Sequence, residues 1–328
     1  MKMVGIIMTE RKVVTIGICS RNSKNTIANA IESVLSQDFA KEKMEIIFVD
    51  DSDDNETSSI IRDYISKNVI ECRLFDRIRS GLSKARNAVV NNAKGDYIVW
   101  VDSDMVLPSD HVRKQVDFME QHPDVAIAAA RFCGLPEKKL LVNLQNLEWV
   151  AVNHLAGIEG KLNIPCIVCG GAIYRTEPIK QIGGFDEEII GACEDEEIEI
   201  RVTQAGWSTY KVTDACYFES RKKTWKAVWK QFFWYGYGSH FLLHQNKRTV
   251  KPAQVLDPFT YSNVAYRLTR KKIAFLVPLQ YYFKRVAWYF GFLNAHLNGY
   301  GHNQTAESPK TQSPSDGKNT VSMKNYNY

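Results

Sequence analysis

Between residues 13 and 133, short apolar runs alternate with segments whose apolar residues recur at helical spacing, and this alternation constrains the fold most. Residues 13–19 are apolar and β-branched; residues 25–37 carry Ile27, Ala30, Ile31, Val34 and Leu35 on one helical face. Residues 45–49 form the next strand pattern and run into Asp50-Asp51-Ser52-Asp53-Asp54. A polar helix, a strand over 70–75, a helix over 82–93 and the run Tyr97-Ile98-Val99-Trp100-Val101 follow. Such a chain builds an α/β fold on a mostly parallel, doubly wound sheet, with ligands at the carboxyl ends of its strands. Neither Gly-x-Gly-x-x-Gly nor Gly-x-x-x-x-Gly-Lys-Ser/Thr is present, which argues against a dinucleotide fold and a P-loop nucleotidase.

The strand over 97–101 shows no polar alternation, as expected when both faces are buried, and Asp102-Ser103-Asp104 follows it directly. Alternate residues of a strand share a face, so Asp102 and Asp104 are expected to converge. Two carboxylates meeting where a buried strand ends make a hard-oxygen site suited to Mg²⁺ or Mn²⁺. Taken alone, Asp-x-Asp is equally the composition of a solvated turn.

The ordered set of motifs is more specific. Residues 15–22 (Thr-Ile-Gly-Ile-Cys-Ser-Arg-Asn), 33–37 (Ser-Val-Leu-Ser-Gln) and 47–52 (Ile-Phe-Val-Asp-Asp-Ser) resemble the opening of family 2 glycosyltransferases. Residues 81–87 (Gly-Leu-Ser-Lys-Ala-Arg-Asn), Gly95-Asp96-Tyr97 and the Asp-x-Asp continue the resemblance in order. Gly170-Gly171-Ala172, residues 182–187 and Glu194-Asp195-Glu196-Glu197 are similar to that family's acceptor half. The resemblance covers residues 13–240 and implies a GT-A fold: a Rossmann-like sheet flanked by helices, with inverting sugar transfer from a nucleoside-diphosphate sugar.

It also implies roles. Asp51 would meet the donor's base, with Ser20, Asn22, Ser52 and Gly81 around the donor. Arg79, Lys84 and Arg86 precede the Asp-x-Asp and are candidates for the diphosphate, although each equally suits a solvated helix face. On the residues themselves, Asp53 or Asp54 is expected to be structural, in a turn that caps the next helix. Asp102 and Asp104 would hold the divalent metal, with Asp102 also near the donor, and Gly170 and Gly171 would line the substrate site. Asp195 matches the family's catalytic acidic residue in the Glu-Asp pair and is the candidate base, beside Glu194; crowded carboxylates raise one another's pKa, which suits that role. The same acids also suit any helix N-terminus. Many relatives carry His after the strand that follows this helix. Here Glu219 stands near that slot as a candidate third metal ligand, and Arg221 as a candidate phosphate contact.

The net charge of +5 conceals an asymmetry. From Arg221 to Arg285 there are fourteen Lys/Arg and one acid, Asp257, a local +13 that leaves −8 for the rest. Aromatic residues, including Trp225, Trp229 and Trp234, are interleaved with those cations, which suits nucleic acid or an anionic membrane surface. Ordered carboxylates do not suit a nucleic-acid protein, so no nucleic acid is expected. The apolar pieces over 273–283 and 286–297 are shorter than the ~20 residues of a spanning helix, with Pro278, Lys284 and Arg285 as interruptions, so two interfacial helices are expected. Seven scattered cysteines point to a reducing compartment. The sequence thus reads as a glycosyltransferase domain over 1–220, a basic aromatic helical segment over 221–300 and a disordered tail over 301–328. The expected setting is the cytoplasmic face of the cell membrane, held peripherally, with a nucleotide-sugar donor and a lipid-linked glycan or polysaccharide acceptor. A polyprenyl-phosphate acceptor and a non-catalytic nucleotide-sugar scaffold are the alternatives.

Overall fold

The computed structural model describes residues 13–76, 81–134, 138–158, 169–245 and 257–301. Arg79 and the tail beyond Gly301 lie outside them. The first half follows the expected alternation: β1 (Val14–Ser20), α1 (Ile27–Leu35), β2 (Met44–Asp50), α2 (Glu56–Lys67), β3 (Glu71–Asp76), α3 (Leu82–Asn92) and β4 (Tyr97–Asp102). Four strands pair in parallel, in the order β3-β2-β1-β4.

The continuous apolar runs are explained by two cores, one on each face of the sheet. Val14, Ile16, Ile18, Ile46, Phe48, Val99 and Val101 pack beneath α1. Ile47, Val49, Ile98 and Trp100 point the other way, against Ala85, Val89 and Val90 of α3. A strand buried on both faces has no polar side to show, hence the missing alternation.

Past β4 the sheet is mixed. β5 (Met105–Val106), α4 (His111–Gln121), β6 (Val125–Phe132) and α5 (Leu140–Ile158) lead to β7 (Ile173–Arg175), α6 (Thr176–Gln181), α7 (Glu194–Gln204) and β8 (Ser208–Glu219). β7 is antiparallel to both β4 and β6, β6 and β8 are parallel, and the two-residue β5 closes antiparallel on β8. The strand order is β3-β2-β1-β4-β7-β6-β8-β5.

The expected Asp-x-Asp geometry needs one correction. β4 ends at Asp102 and the chain turns at Ser103-Asp104, so strand alternation does not orient Asp104. The turn is instead held through β5, whose Met105 is in register with Glu219 of β8.

The basic segment folds as α8 (Trp225–Gln245), α9 (Pro258–Thr269) and α10 (Val277–Leu297). Here a second expectation fails: the two interfacial pieces are one 21-residue helix. Pro278 sits in its first turn, where a missing N–H breaks no helical bond, and Lys284 is buried against Glu148 at 2.5 Å. No helix among the described residues is long and apolar enough to cross a membrane. α8 and α10 cross closely because glycines meet backbone. A Cβ on Gly236 would strike the Trp288 carbonyl, and one on Gly291 the Phe233 carbonyl.

Candidate active site

The carboxyl ends of β1 and β2 are tied together before any ligand enters. Asp50 is fully buried and accepts hydrogen bonds from Ser20 Oγ (2.9 Å) and Ser52 Oγ (2.6 Å). Burial raises its carboxyl pKa and the two hydroxyls oppose that rise. Ser52 Oγ in turn accepts from the Asn22 backbone N–H at 2.7 Å. Asn22 adopts φ 51° and exchanges side-chain bonds with Asp53. Asp54 caps α2 by accepting from the Glu56 N–H at 2.9 Å. Ser20, Asn22 and Ser52 therefore lock two loops to each other. Asp51 is different. Its Oδ2 accepts from the Gly81 N–H at 3.3 Å, while its Oδ1 is buried with no hydrogen-bond partner among the described residues. A buried carboxylate oxygen without a donor is costly and is well placed to accept an N–H from outside the chain.

Around Asp102 the site is a knot of buried charge. Arg86, on α3, is 4 % exposed; its guanidinium pairs with Glu194 at the start of α7 and lies 3.8 Å from Asp102. Trp100 and Phe185 flank it, with ring centroids at 5.8 and 5.5 Å. Arg86 thus faces carboxylates from inside the protein, whereas Lys84 on the same helix is exposed. Burial pushes Asp102 up to about 6, against the pull of Arg86. Asp195, the second residue of α7, is pushed up to about 7 by burial and then by Glu194. Its oxygens accept from the Glu196 N–H (2.9 Å) and the Cys169 N–H (3.4 Å). Of the two adjacent acids, Glu194 is committed to an ion pair. Asp195 is the one with a pKa near neutrality, where a general base works best.

Glu219 approaches from β8. Burial pushes its carboxyl up to about 7, opposed by Arg221 at 3.4 Å and assisted by the charges of Asp104 and Asp102. Lys222 lies 4.0 Å from Asp104. Carboxylates that raise one another's pKa form a donor set that a divalent cation would relieve. All three side chains offer the hard oxygens that Mg²⁺ or Mn²⁺ prefers. Asp102, Asp104 and Glu219 match such an ion in donor chemistry, though their ligand atoms do not form a set within 4.8 Å of one another. Arg221 is stacked on Phe132 and Trp149, centroids 3.7 and 5.2 Å away, and its buried Nε and Nη2 have no hydrogen-bond partner among the described residues.

The glycine pair closes the site. A Cβ on Gly170 would come within 2.7 Å of Asp102 Oδ2, and Gly171 turns the chain at φ 73°. The Gly171 carbonyl is gripped from below by His111 Nε2 (3.1 Å) and Gln115 Nε2 (2.7 Å), both fully buried. Asn87 likewise braces Phe185, donating to its carbonyl at 2.9 Å and accepting from its N–H at 2.7 Å. Sequence reasoning missed these braces, because a buried His or Gln on an amphipathic helix leaves no local signature.

The chain matches the Glycosyl transferase family 2 profile over residues 15–183, about half its length. It belongs to that family. An N-acetylglucosaminyltransferase from Bradyrhizobium diazoefficiens is 28 % identical over 208 residues, 60 % of this chain and 42 % of that one. The Escherichia coli UDP-Glc:alpha-D-GlcNAc-diphosphoundecaprenol beta-1,3-glucosyltransferase WfaP is 36 % identical over 109 residues, covering 33 % and 42 %. The aligned segments thus span less than half of each of these two relatives. Among solved structures, the mannosyltransferase PcManGT from Pyrobaculum calidifontis, in complex with GDP-Man and Mn²⁺, superposes with a TM-score of 0.59 at 17 % identity, covering 91 % of this chain and 89 % of that one. The likeness to that solved structure shows the fold, GT-A.

Proposed function

We propose that this glycosyltransferase moves a sugar, with inversion, from a nucleoside-diphosphate sugar to a hydroxyl of a lipid-linked glycan or polysaccharide at a membrane surface. The observation that carries the reading is the division of labour among the buried acids. Asp51 presents an unpartnered oxygen, Glu194 is neutralised by Arg86, and Asp195 stays an unpaired carboxyl pushed up to about 7. In this reading Asp51 receives an N–H of the donor's base. Asp102, Asp104 and Glu219 hold Mg²⁺ or Mn²⁺, which when bound would offset charge developing on the nucleoside diphosphate. The unpaired nitrogens of Arg221 and the exposed ammonium of Lys84 face the same task from the protein side. Asp195 takes the proton of the acceptor hydroxyl as its oxygen attacks the anomeric carbon, while the bond from that carbon to the diphosphate oxygen breaks.

The helical segment supports a membrane-bound acceptor. α10 buries one face and exposes Leu279, Tyr282, Val286, Tyr289, Phe290, Leu293 and Leu297 on the other, beside exposed Phe275 and Leu276. Arg267, Arg270, Lys271 and Lys272 are exposed next to this stripe. Apolar side chains flanked by cations match an anionic headgroup layer. The diphosphoundecaprenol-linked acceptor for which the Escherichia coli relative is named points the same way.

Donor binding tests the reading directly. Nucleoside diphosphate titrated into the full-length protein should bind tightly with Mn²⁺ and weakly in chelator. Asp104→Asn should erase at least about tenfold of that difference, equivalent to about 1.4 kcal/mol. Equal affinity with and without metal would remove the assigned role of the carboxylates.

A further inference from the structure

Three histidines meet between α8 and α10, outside the carboxylate site described above. His240 and His244 are one helical turn apart on α8, and His296 comes from the last turn of α10. One ring nitrogen or another of each lies within 4.8 Å of the others, with His240 buried, His244 half-buried and His296 exposed. The protonation of His240 follows from its partners. Its Nδ1 is 2.7 Å from the Tyr300 carbonyl, which can only accept, so Nδ1 carries the proton. In the neutral ring Nε2 is then the acceptor of the 3.3 Å hydrogen bond with His296 Nδ1, whose proton a bound ion would replace. An imidazole that donates one ring N–H to a backbone carbonyl has the outer-shell arrangement of a metal-ligating histidine.

The separation also fits. Two nitrogens bound at about 2.0–2.1 Å to a tetrahedral ion stand about 3.3 Å apart. His244 completes the set, since its i,i+4 spacing directs it to the same face and a ring nitrogen lies within 4.8 Å of the others.

We propose that His240, His244 and His296 form a second metal site, for a borderline transition ion of the Zn²⁺ class, that clasps α8 to α10. Imidazole suits such ions, and the hard-oxygen set at Asp102 and Asp104 suits Mg²⁺ or Mn²⁺, so the two sites are chemically distinct. The clasp has a mechanical address. The Tyr300 carbonyl is bonded to His240, while its hydroxyl accepts from the Ile190 N–H at 2.6 Å and donates to the Glu188 carbonyl at 3.3 Å. Residues 188–190 belong to the loop that leads into α7 and Asp195. Gly238 of α8 touches the same loop, since a Cβ there would strike the Ala192 carbonyl. An ion held by the histidines fixes the frame on which that loop rests.

Co²⁺ reports the site without any sugar transfer. Full-length protein in saturating Mg²⁺ should bind one equivalent of Co²⁺ with the visible absorption of a tetrahedral, nitrogen-ligated ion, and Zn²⁺ should displace it and raise the melting temperature. His240 is too buried for a clean substitution, so the test uses His296→Ala and His244→Ala. Losing even an outer-shell partner costs about 10–100-fold in metal affinity, so each ligand variant should lose at least that much while melting like wild type in chelator. Asp104→Asn should leave the Co²⁺ spectrum intact. A wild-type protein with no tetrahedral spectrum would overturn the proposal, as would His296→Ala retaining it or Asp104→Asn abolishing it.

Discussion

The sheet half and the helical half break the usual inside–outside rule in opposite directions. Near Asp102 the sheet half buries charge: Arg86, Glu194 and Glu197 are all at most 5 % exposed. The helical half exposes apolar surface: Leu279, Tyr289 and Leu297 are each at least 66 % exposed. Buried charge is costly unless paired, and large exposed apolar patches mark interaction surfaces. The difference teaches where each half works. The sheet half keeps paired charge inside the protein, and the helical half offers an apolar surface to be covered.

The largest expected effect lies in the sheet half. Asp195→Asn keeps the side chain's shape and removes the proton acceptor. Transfer should fall by about 10²–10⁴-fold, the usual contribution of a general base. Donor affinity should hold, because Asp51 and the metal carboxylates are elsewhere in the site. The pH profile sharpens the point. A base pushed up to about 7 is protonated below that value, so the wild-type rate should climb through pH 7 and then level. A steady-state assay with donor titration reads both. Near-wild-type transfer by Asp195→Asn would shift the base to a neighbouring acid, and joint loss of binding and turnover would show that α7 only supports the fold.

Next comes the ion pair that organises those acids. Arg86→Met removes the cation and strands Glu194 in a buried position. Breaking a buried pair in this way costs about 3–5 kcal/mol, read by urea or thermal unfolding. A variant as stable as wild type would mean that water reaches Glu194 and that the knot is not dry.

How much of this was legible in the sequence follows the same division. The order β1 to β4 was readable because two-sided burial writes itself as continuous apolar runs, and helix faces write themselves at i, i+3, i+4. Asp102 and Asp195 were readable as members of ordered motifs. The pairing of Arg86 with Glu194 spans 108 residues and leaves no local trace. Nor was the β5–β8 pairing readable, since a two-residue strand has no period, yet it brings Glu219 beside the Asp-x-Asp turn. Pro278 misled because a proline at a helix start looks like one that ends a helix when the boundary is unknown. The buried role of Lys284 was hidden too, for its partner Glu148 sits on α5. His240 and His244 show a helical i,i+4 signal, but His296 is contributed by another helix.

Within the helical half, the tight crossing is the more sensitive feature. Gly291→Ala places a methyl against the Phe233 carbonyl and forces α8 and α10 apart. Overpacking of this kind costs about 1–3 kcal/mol, partly offset by alanine's better helix propensity, and thermal unfolding measures the net loss. Because the crossing lies away from Asp102, the affinity for nucleoside diphosphate with Mn²⁺ should be unchanged. A loss of donor affinity at unchanged stability would mean that the contacts joining the halves, such as Ile189 with Phe241 and Leu242, carry the strain to the donor site.

The smallest effect concerns the exposed stripe. Leu279 is 66 % exposed and makes little contact with the core, so Leu279→Ser should leave the melting temperature unchanged. If the stripe enters a headgroup layer, the same substitution withdraws an apolar side chain from that contact. Part of a leucine's burial amounts to about 1 kcal/mol, which is about a fivefold drop in partitioning onto anionic vesicles. Sedimentation with vesicles measures it, and the remaining binding should weaken with salt because Arg267, Arg270, Lys271 and Lys272 act through screened charge. Neutral vesicles should bind both proteins poorly, since the cations then have no partner. Equal sedimentation of wild type and variant, at low salt and on anionic lipid, would turn the stripe from a membrane face into the seat of another protein. The contrast between the halves would survive that result, for the surface would still be one that something covers, but the acceptor would then have to reach Asp195 without help from α10.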